Sequence, residues 1–285
     1  MEDIKNSVIL ITGATNGIGK ATAERLAGLG ATVVIHGRDQ VKINSVINEI
    51  KGRTGSRKID GIRADLASLK EVKSMAEEFK SRFDRLDVLI NNAGGVFLDG
   101  GPSKDTFEIT FAVNYLSHFL LTSLLLGLLK KSTPSRVILV SSEAHRFLGH
   151  VNLDKVSEPG FYKGFSAYSA AKICENLFAF ELADRLKESG VDSNALHPGV
   201  VRTGFGLNTK NSFFKALLRI FGLFIITPEQ GSDTSVFLAS SPEVKGITGK
   251  YFNKCKPFIV SKNSLDAVER KRLWDISEKL LESYL

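Results

Sequence analysis

The sequence predicts an α/β protein: a doubly wound parallel sheet in three α/β/α layers, folded as a single domain over residues 1–285. Three observations predict it. Short apolar runs of the kind buried on both faces alternate with stretches of helical period. The first run passes directly into a glycine-rich turn, Thr12-Gly-Ala-Thr-Asn-Gly-Ile-Gly19, and no proline- or serine-rich linker breaks the rhythm. Repetition of strand and helix in this way lays parallel strands side by side with helices on both faces.

Residues 7–12 (SVILIT) read as the first buried strand, and the helix after them runs to about Leu29, where Gly30 stops it. The pattern then predicts a strand at 32–36, a helix at 40–51, a strand at 59–64 and a helix at 69–83. A strand at 86–91 is followed by a long helical stretch from about Ser103 to Lys130. Next come a strand at 136–141, a helix at about 161–189 and a strand at 192–197. The rhythm relaxes after Pro198. Residues 213–226 are apolar, with Lys215 and Arg219 one helical turn apart. A helix is expected at 228–239, a short strand near 250–253, and a charged amphipathic helix at about 266–281.

Composition narrows the function classes. The apolar fraction is 43 % and the formal charge is +7, with basic residues scattered rather than run together. That excludes a nucleic-acid-binding tail and fits an electropositive mouth that attracts an anionic cofactor. Two cysteines, Cys174 and Cys255, make no disulfide framework, no CxxC pair points to zinc, and the five histidines lack metal-ligand spacing. No metal is expected, and the histidines read as structural or surface residues. Residues 1–7 are polar, unlike a signal peptide, and no apolar run reads as long enough to span a bilayer. The expectation is a soluble cytoplasmic protein.

Gly13, Gly17 and Gly19 fall where strand becomes helix. A tight turn there lets the backbone approach a pyrophosphate with a helix N-terminus aimed at the anion, so a dinucleotide cofactor is expected. The end of the second strand should meet the adenosine ribose, and it reads His36-Gly37-Arg38-Asp39. A guanidinium suits a 2′-phosphate, whereas Asp39 precedes a helical run and suits an N-cap. NADP(H) is therefore favoured over NAD(H). Tyr168 and Lys172 stand at i and i+4, so they share a helix face. A phenol near pKa 10 must be biased by about 4 kcal/mol to exchange protons at neutral pH, and a close ammonium with a positive nicotinamide can supply that bias. Ser141 and Ser142 close the fifth strand, and Asn91-Asn92-Ala93-Gly94 close the fourth. Asn114 lies mid-helix, where Asn is a poor choice unless it has a task.

As a set these segments resemble the short-chain dehydrogenase/reductase family, with its Rossmann-type fold, over nearly the whole chain from about Ser7. Within that family Val140-Ser-Ser-Glu-Ala-His145, His197-Pro-Gly-Val-Val-Arg-Thr203, Gly249-Lys-Tyr-Phe-Asn-Lys-Cys-Lys256 and Arg272-Leu-Trp274 are similar to retinol dehydrogenases and related carbonyl reductases. The resemblance implies reversible hydride transfer between a nicotinamide and a small-molecule carbonyl or alcohol. It implies Tyr168 as general acid/base, Ser142 as the hydroxyl that orients the carbonyl oxygen, and Lys172 as the group that lowers the Tyr168 pKa and binds the nicotinamide ribose. Asn114 would hold a helix distortion and a water linked to Lys172. For the cofactor it implies Gly13, Asn16, Gly17, Ile18 and Gly19 at the phosphates, Arg38 at the 2′-phosphate, and Asp65 with Leu66 at the adenine. Asn91, Ala93 and Gly94 would flank the ribose, and Pro198, Gly199, Val201 and Thr203 the nicotinamide amide.

Residues 204–226 fall where the family places its variable substrate lid, and the apolar 213–226 stretch favours a lipophilic substrate. A second reading makes that stretch an interfacial helix touching anionic lipid through Lys215 and Arg219. The apolar 116–129 helix and the Tyr168-bearing one are where the family dimerises, which allows a homodimer. A protein that kept cofactor binding and lost turnover is the rival from another class. The complete Asn114, Ser142, Tyr168 and Lys172 set argues against it.

Overall fold

A computed structural model describes residues 4–199 and 226–285. Among these residues one sheet holds β1 (Val8–Ile11), β2 (Thr32–Gly37), β3 (Ile59–Arg63), β4 (Val88–Asn91), β5 (Ser135–Val140), β6 (Val191–His197), β7 (Tyr251–Asn253) and β8 (Lys256–Pro257). Their order is β3-β2-β1-β4-β5-β6-β7-β8. All neighbours pair in parallel except β8, which runs antiparallel to β7. The strand order reverses between β1 and β4, which pair with Ile11 opposite Ile90. Such a reversal opens a crevice at the carboxyl ends of the strands, where α/β sheets of this type take their ligands.

The helices are α1 (Gly17–Gly28), α2 (Gln40–Thr54), α3 (Leu69–Arg82), α4 (Ile109–Lys131), α5 (Gly164–Arg185), α6 (Pro228–Gly231), α7 (Asp233–Ser240) and α8 (Ala267–Leu281). The continuous apolar character of β1 is explained by the two layers. Val8 and Leu10 join a core with Phe79, Phe119 and Phe178, whereas Ile9 and Ile11 join the opposite core with Leu26, Ile43 and Ile50. A strand covered on both sides has no polar face to show.

Three expected helices are corrected, and one strand is added. The helix expected from Ser103 starts at Ile109: Thr106 takes φ +69°, and Glu108 is the N-cap, its carboxylate accepting from Phe111 N at 2.6 Å. The 161–189 helix is shorter, Gly164–Arg185, and enters through Gly164 at φ +53°. The 228–239 helix is two helices with a break at Ser232. β8 was not foreseen, because its hairpin turns on Lys254 and Cys255, both at positive φ, with none of the glycines that advertise such turns.

α4 corrects the expectation that no apolar run could span a bilayer. It is 23 residues long with a mean hydropathy of 1.6 over its best window, enough by length and composition, yet 67 % of that window is buried inside the fold. Core packing against α3 and α5 accounts for its apolarity. The outer face of α5 is also covered. Trp274 of α8 lies 4.8 Å from Phe119 and 5.9 Å from Phe178 between ring centroids, and Tyr115 Oη meets Ser277 Oγ at 2.6 Å. Part of the flank of α5 is thus packed against the chain's own α8. Residues 200–225, which include Val201, Thr203 and most of the 204–226 lid, lie outside the described residues.

Candidate active site

The turn after β1 is built by backbone geometry. Gly13 and Gly17 take φ +65° and +55°, values that cost a side-chain-bearing residue strain. A Cβ on Gly13 would stand 2.8 Å from Ala93 Cα, and one on Gly19 would stand 2.4 Å from Asn92 Nδ2 and 2.5 Å from Gly13 O. Asn16 caps α1, its side chain accepting from Gly17 N at 2.8 Å, and Ile18 follows in the first helical turn. Behind the turn, Thr12 Oγ1 accepts from Asn92 N and Ala93 N, both at 2.9 Å, and lies 3.1 Å from His118 Nε2. Asn92 Nδ2 donates to Thr12 O at 2.8 Å, tying the ends of β1 and β4 together.

His36 completes this lock. Its Nδ1 accepts from Gly13 N at 3.1 Å, which fixes the proton on Nε2, and Nε2 donates to Ala64 O at 3.0 Å. Burial pulls its pKa down to about 4, so the ring is neutral at pH 7. The positive-φ glycines, the helix N-terminus and the strand-order reversal converge, and they fit a dinucleotide pyrophosphate. Arg38 is exposed at the end of β2. Asp39 spends its carboxylate on Val41 N and Lys42 N, as its expected N-cap position requires. Asp65 accepts from Ala67 N at 3.1 Å and pairs with Lys104 at 3.0 Å. Burial alone would raise the Asp65 pKa, but these two partners hold it below the usual range. Leu66 is in the core.

Asn91 differs from its expected place beside the ribose. Its side chain is enclosed and donates to Thr122 Oγ1 of α4 at 3.0 Å; Asn92 is the one that reaches the turn. Alternation along the strand explains this, since successive side chains point to opposite faces. Gly94 sits against Asn114, whose Oδ1 would lie 3.0 Å from an added Cβ.

The other wall joins β5 to α5. Ser141 Oγ donates to Lys172 O at 3.3 Å, a structural tie, whereas the Ser142 hydroxyl is bonded to the Tyr168 phenol and accepts from Ala144 N at 3.2 Å. The Lys172 ammonium stands 5.3 Å from the Tyr168 ring centroid. Its Nζ donates to Val140 O and to both oxygens of Glu175, each at 2.9 Å. Asn114 lies in a π-helical turn, Ala112–Leu116, inside α4. There it clamps the backbone of one residue, accepting from Gly95 N at 2.9 Å and donating to Gly95 O at 3.0 Å. The mid-helix Asn that looked out of place thus marks a helix distortion.

The electrostatics of this corner are not those expected from Tyr168 and Lys172 alone. Burial pushes the Tyr168 phenol up; Lys172 and Ser142 pull it down, Glu175 pushes it up, and the net direction is upward. Burial disfavours the Lys172 ammonium, but Glu175 and Tyr168 hold it above its ordinary pKa. Burial lifts Glu175 to about 7 against the pull of Lys172. Of the two partners the carboxylate is the one whose proton comes and goes near neutral pH. Glu175 was absent from the sequence reading. The available signal was an acidic residue at i+3 from Lys172 on a helix otherwise rich in apolar residues.

Pro198 and Gly199 follow β6, and Gly199 takes φ +91° with Ile226 Cδ1 2.5 Å from where its Cβ would be. An aromatic rim adjoins Tyr168: the Phe165 ring lies 6.1 Å from it and 5.6 Å from Phe147, which is 71 % exposed. A cavity of about 200 Å³ at the opposite end of the sheet, bordered by Asp87, Arg136 and Lys245, includes none of these residues. Cys174 is buried and free, and burial pushes its thiol up. Among the described residues no group of His, Cys, Asp or Glu could hold a metal ion.

A crevice with a glycine turn on one wall and a hydroxyl–phenol–ammonium set on the other defines a class, the nicotinamide-dependent oxidoreductases acting on alcohol or carbonyl groups. The family model for short chain dehydrogenase matches residues 7–212, and the chain belongs to that family, in its retinol dehydrogenase-like branch. It is 40 % identical to human retinol dehydrogenase 14, over 96 % of this chain and 85 % of that one. It is 39 % identical to human retinol dehydrogenase 13, over 98 % and 85 %. Among solved structures, a putative uncharacterized protein from Mycobacterium paratuberculosis superposes with a TM-score of 0.76 at 29 % identity, covering 97 % of this chain and 94 % of its own. A putative short chain dehydrogenase from Escherichia coli CFT073, complexed with NADPH, does so with a TM-score of 0.68 at 25 % identity, covering 88 % and 97 %.

Proposed function

We propose that this oxidoreductase uses NADP(H) to interconvert a lipophilic carbonyl compound and its alcohol. One observation carries the reading: Ser142, Tyr168 and Lys172 converge in one corner, with Lys172 Nζ 5.3 Å from the Tyr168 ring centroid, on the crevice that the glycine turn also borders. Bound there, the nicotinamide cofactor supplies or accepts the hydride. Tyr168 gives or takes the proton at the substrate oxygen through Oη, and Ser142 Oγ holds that oxygen in line. Lys172 fixes the ammonium beside the phenol, and Asn114 sets the π-turn that lines the same pocket.

Gly13, Asn16, Gly17, Ile18 and Gly19 hold the pyrophosphate. Arg38 recognises the 2′-phosphate, and Asp65 and Leu66 border the adenine. Ala93 and Gly94 flank the ribose, with Asn91 holding β4 to α4 behind them. Pro198 and Gly199 face the nicotinamide amide; Val201 and Thr203, which the family resemblance assigns to the same group, lie outside the described residues. The preference for NADP(H) rests on Arg38 being exposed where Asp39 is already committed to capping. Several similar structures also carry NADP or NADPH. The lipophilic substrate is supported by the Phe147–Phe165 rim beside Tyr168, and by the retinol dehydrogenases among the relatives.

The test is NADPH and NADH oxidation against aldehydes and ketones that include retinal and steroids. NADPH should be preferred, and Tyr168→Phe should lower turnover by about 10²–10⁴-fold, the usual contribution of a positioned acid/base. Undiminished turnover in Tyr168→Phe would remove the proposed role of the phenol.

A further inference from the structure

Tyr168, Lys172 and Glu175 stand at i, i+4 and i+7 of α5, one stripe on one helix face. An ammonium has three protons to give. Here Val140 O takes one, and both Glu175 oxygens lie 2.9 Å from Nζ. The side chains of Lys172 and Glu175 are 4 % and 1 % exposed, so no bulk water screens the pair. We propose that Glu175 is a positioning residue that sets the charge felt by Tyr168. Closed on Lys172 Nζ by both oxygens, its carboxylate neutralises the ammonium that would otherwise draw the phenol toward phenolate.

This inference rests on the reading of Tyr168 as the acid/base. The other titratable groups around the corner are quiet at neutral pH. His118 of α4 and His197 of β6 are driven by burial to about 3 and about 4. His145, beside Ser142, is also lowered by burial. The Cys174 thiol and the Tyr251 phenol of β7 are pushed up and stay protonated. Glu143 is engaged by Arg146 and by Tyr251 Oη. Among the described residues, Glu175, lifted to about 7, is left as the group whose charge changes there. When Glu175 is protonated the ammonium acts unopposed and the phenol is more acidic. When Glu175 ionises the pair is balanced and the phenol is less acidic. The two titrations are therefore coupled.

The experiment is a phenolate absorbance titration of the full chain without nucleotide. The spectrum of the protein minus that of its Tyr168→Phe variant isolates Tyr168 among the five tyrosines. Glu175→Gln, which keeps the shape and removes the charge, should bring the Tyr168 titration down by about one pH unit, a tenfold gain in acidity. Glu175→Asp, whose shorter arm draws the carboxylate away from Nζ, should move it the same way by less. The Asp variant decides the matter if circular dichroism shows that the Gln variant has not folded. An unchanged or more alkaline titration in the folded variant overturns the proposal. No turnover is needed, so the outcome is separable from the activity test: lost activity in Tyr168→Phe with no shift in Glu175→Gln removes the role of Glu175 alone.

Discussion

The turn after β1 and the Tyr168–Lys172 corner face one crevice, yet different forces hold them. The turn is a matter of close backbone approach, with Gly13 and Gly19 packed where no Cβ fits and a neutral His36 bracing the Gly13 amide. The corner is a matter of buried charge, in which Lys172 and Glu175 hold each other at the foot of a phenol. The contrast extends to pH. His36 has its folded pKa lowered from 6.5, so the stability it contributes is complete above that value and is lost as pH falls through about 4. Glu175 has its folded pKa raised from 4.5, so its contribution is complete below that value and is lost as pH rises through about 7. One wall resists alkali and the other resists acid, which sets their joint optimum between the two limits.

The largest blow to this comparison falls on the charged wall. Lys172→Met should destabilise the fold by about 3–5 kcal/mol at pH 8, because it strands a buried carboxylate. At pH 5 the loss should shrink, since Glu175 is then protonated. Urea unfolding at the two pH values reads the difference, and equal losses would mean that Glu175 carries no charge at either. Next comes acid on the uncharged wall. Between pH 6.5 and 4 the neutral His36 should account for about 3 kcal/mol of lost stability, since each pKa unit is worth about 1.4. A His36→Gln variant should show a flatter acid limb in thermal melts.

Smaller effects follow. Gly19→Ala forces a methyl against Asn92 and Gly13 O, an overpacking cost of about 1–3 kcal/mol. It should weaken NADPH binding by about 10–100-fold, as read by nucleotide fluorescence, while leaving the Tyr168 titration in place. If that titration moved as well, the two walls would not be independent. The smallest effect belongs to Arg38→Ala, expected to weaken NADPH binding by about tenfold and to leave NADH nearly untouched, since one charge-assisted contact is worth about 1.5–3 kcal/mol before screening.

The uncharged wall was largely legible in the sequence, and the charged wall only in part. Glycines at a strand–helix junction record a steric requirement that nothing else satisfies, so Gly13, Gly17 and Gly19 could be assigned by spacing. The i, i+4 relation of Tyr168 and Lys172 was equally legible, as was the odd place of Asn114 in a helix. The balance of charge was not, because it depends on how deeply Glu175 is buried, and burial is set by tertiary packing rather than by neighbours in sequence. His36 escaped for a related reason: its role appears only when β1, β2 and β3 are side by side. Where apolar period alone was the guide, boundaries slipped. Ser103–Phe107 is a turn because Ser103 Oγ accepts from Asp105 N and Phe107 N, a local bond that the periodicity does not register.

The packing of α8 on α5 has a consequence for how the molecule comes into being. α5 carries the proposed acid/base and emerges from the ribosome well before α8, whose Trp274 and Ser277 close over Phe119, Phe178 and Tyr115. Until α8 is made, the apolar flank that Phe119 and Tyr115 of α4 form with Phe178 of α5 faces water or a chaperone. The sealed core beside the helix of the proposed acid/base is therefore among the last properties this chain acquires during synthesis, after the nucleotide turn has every residue it needs.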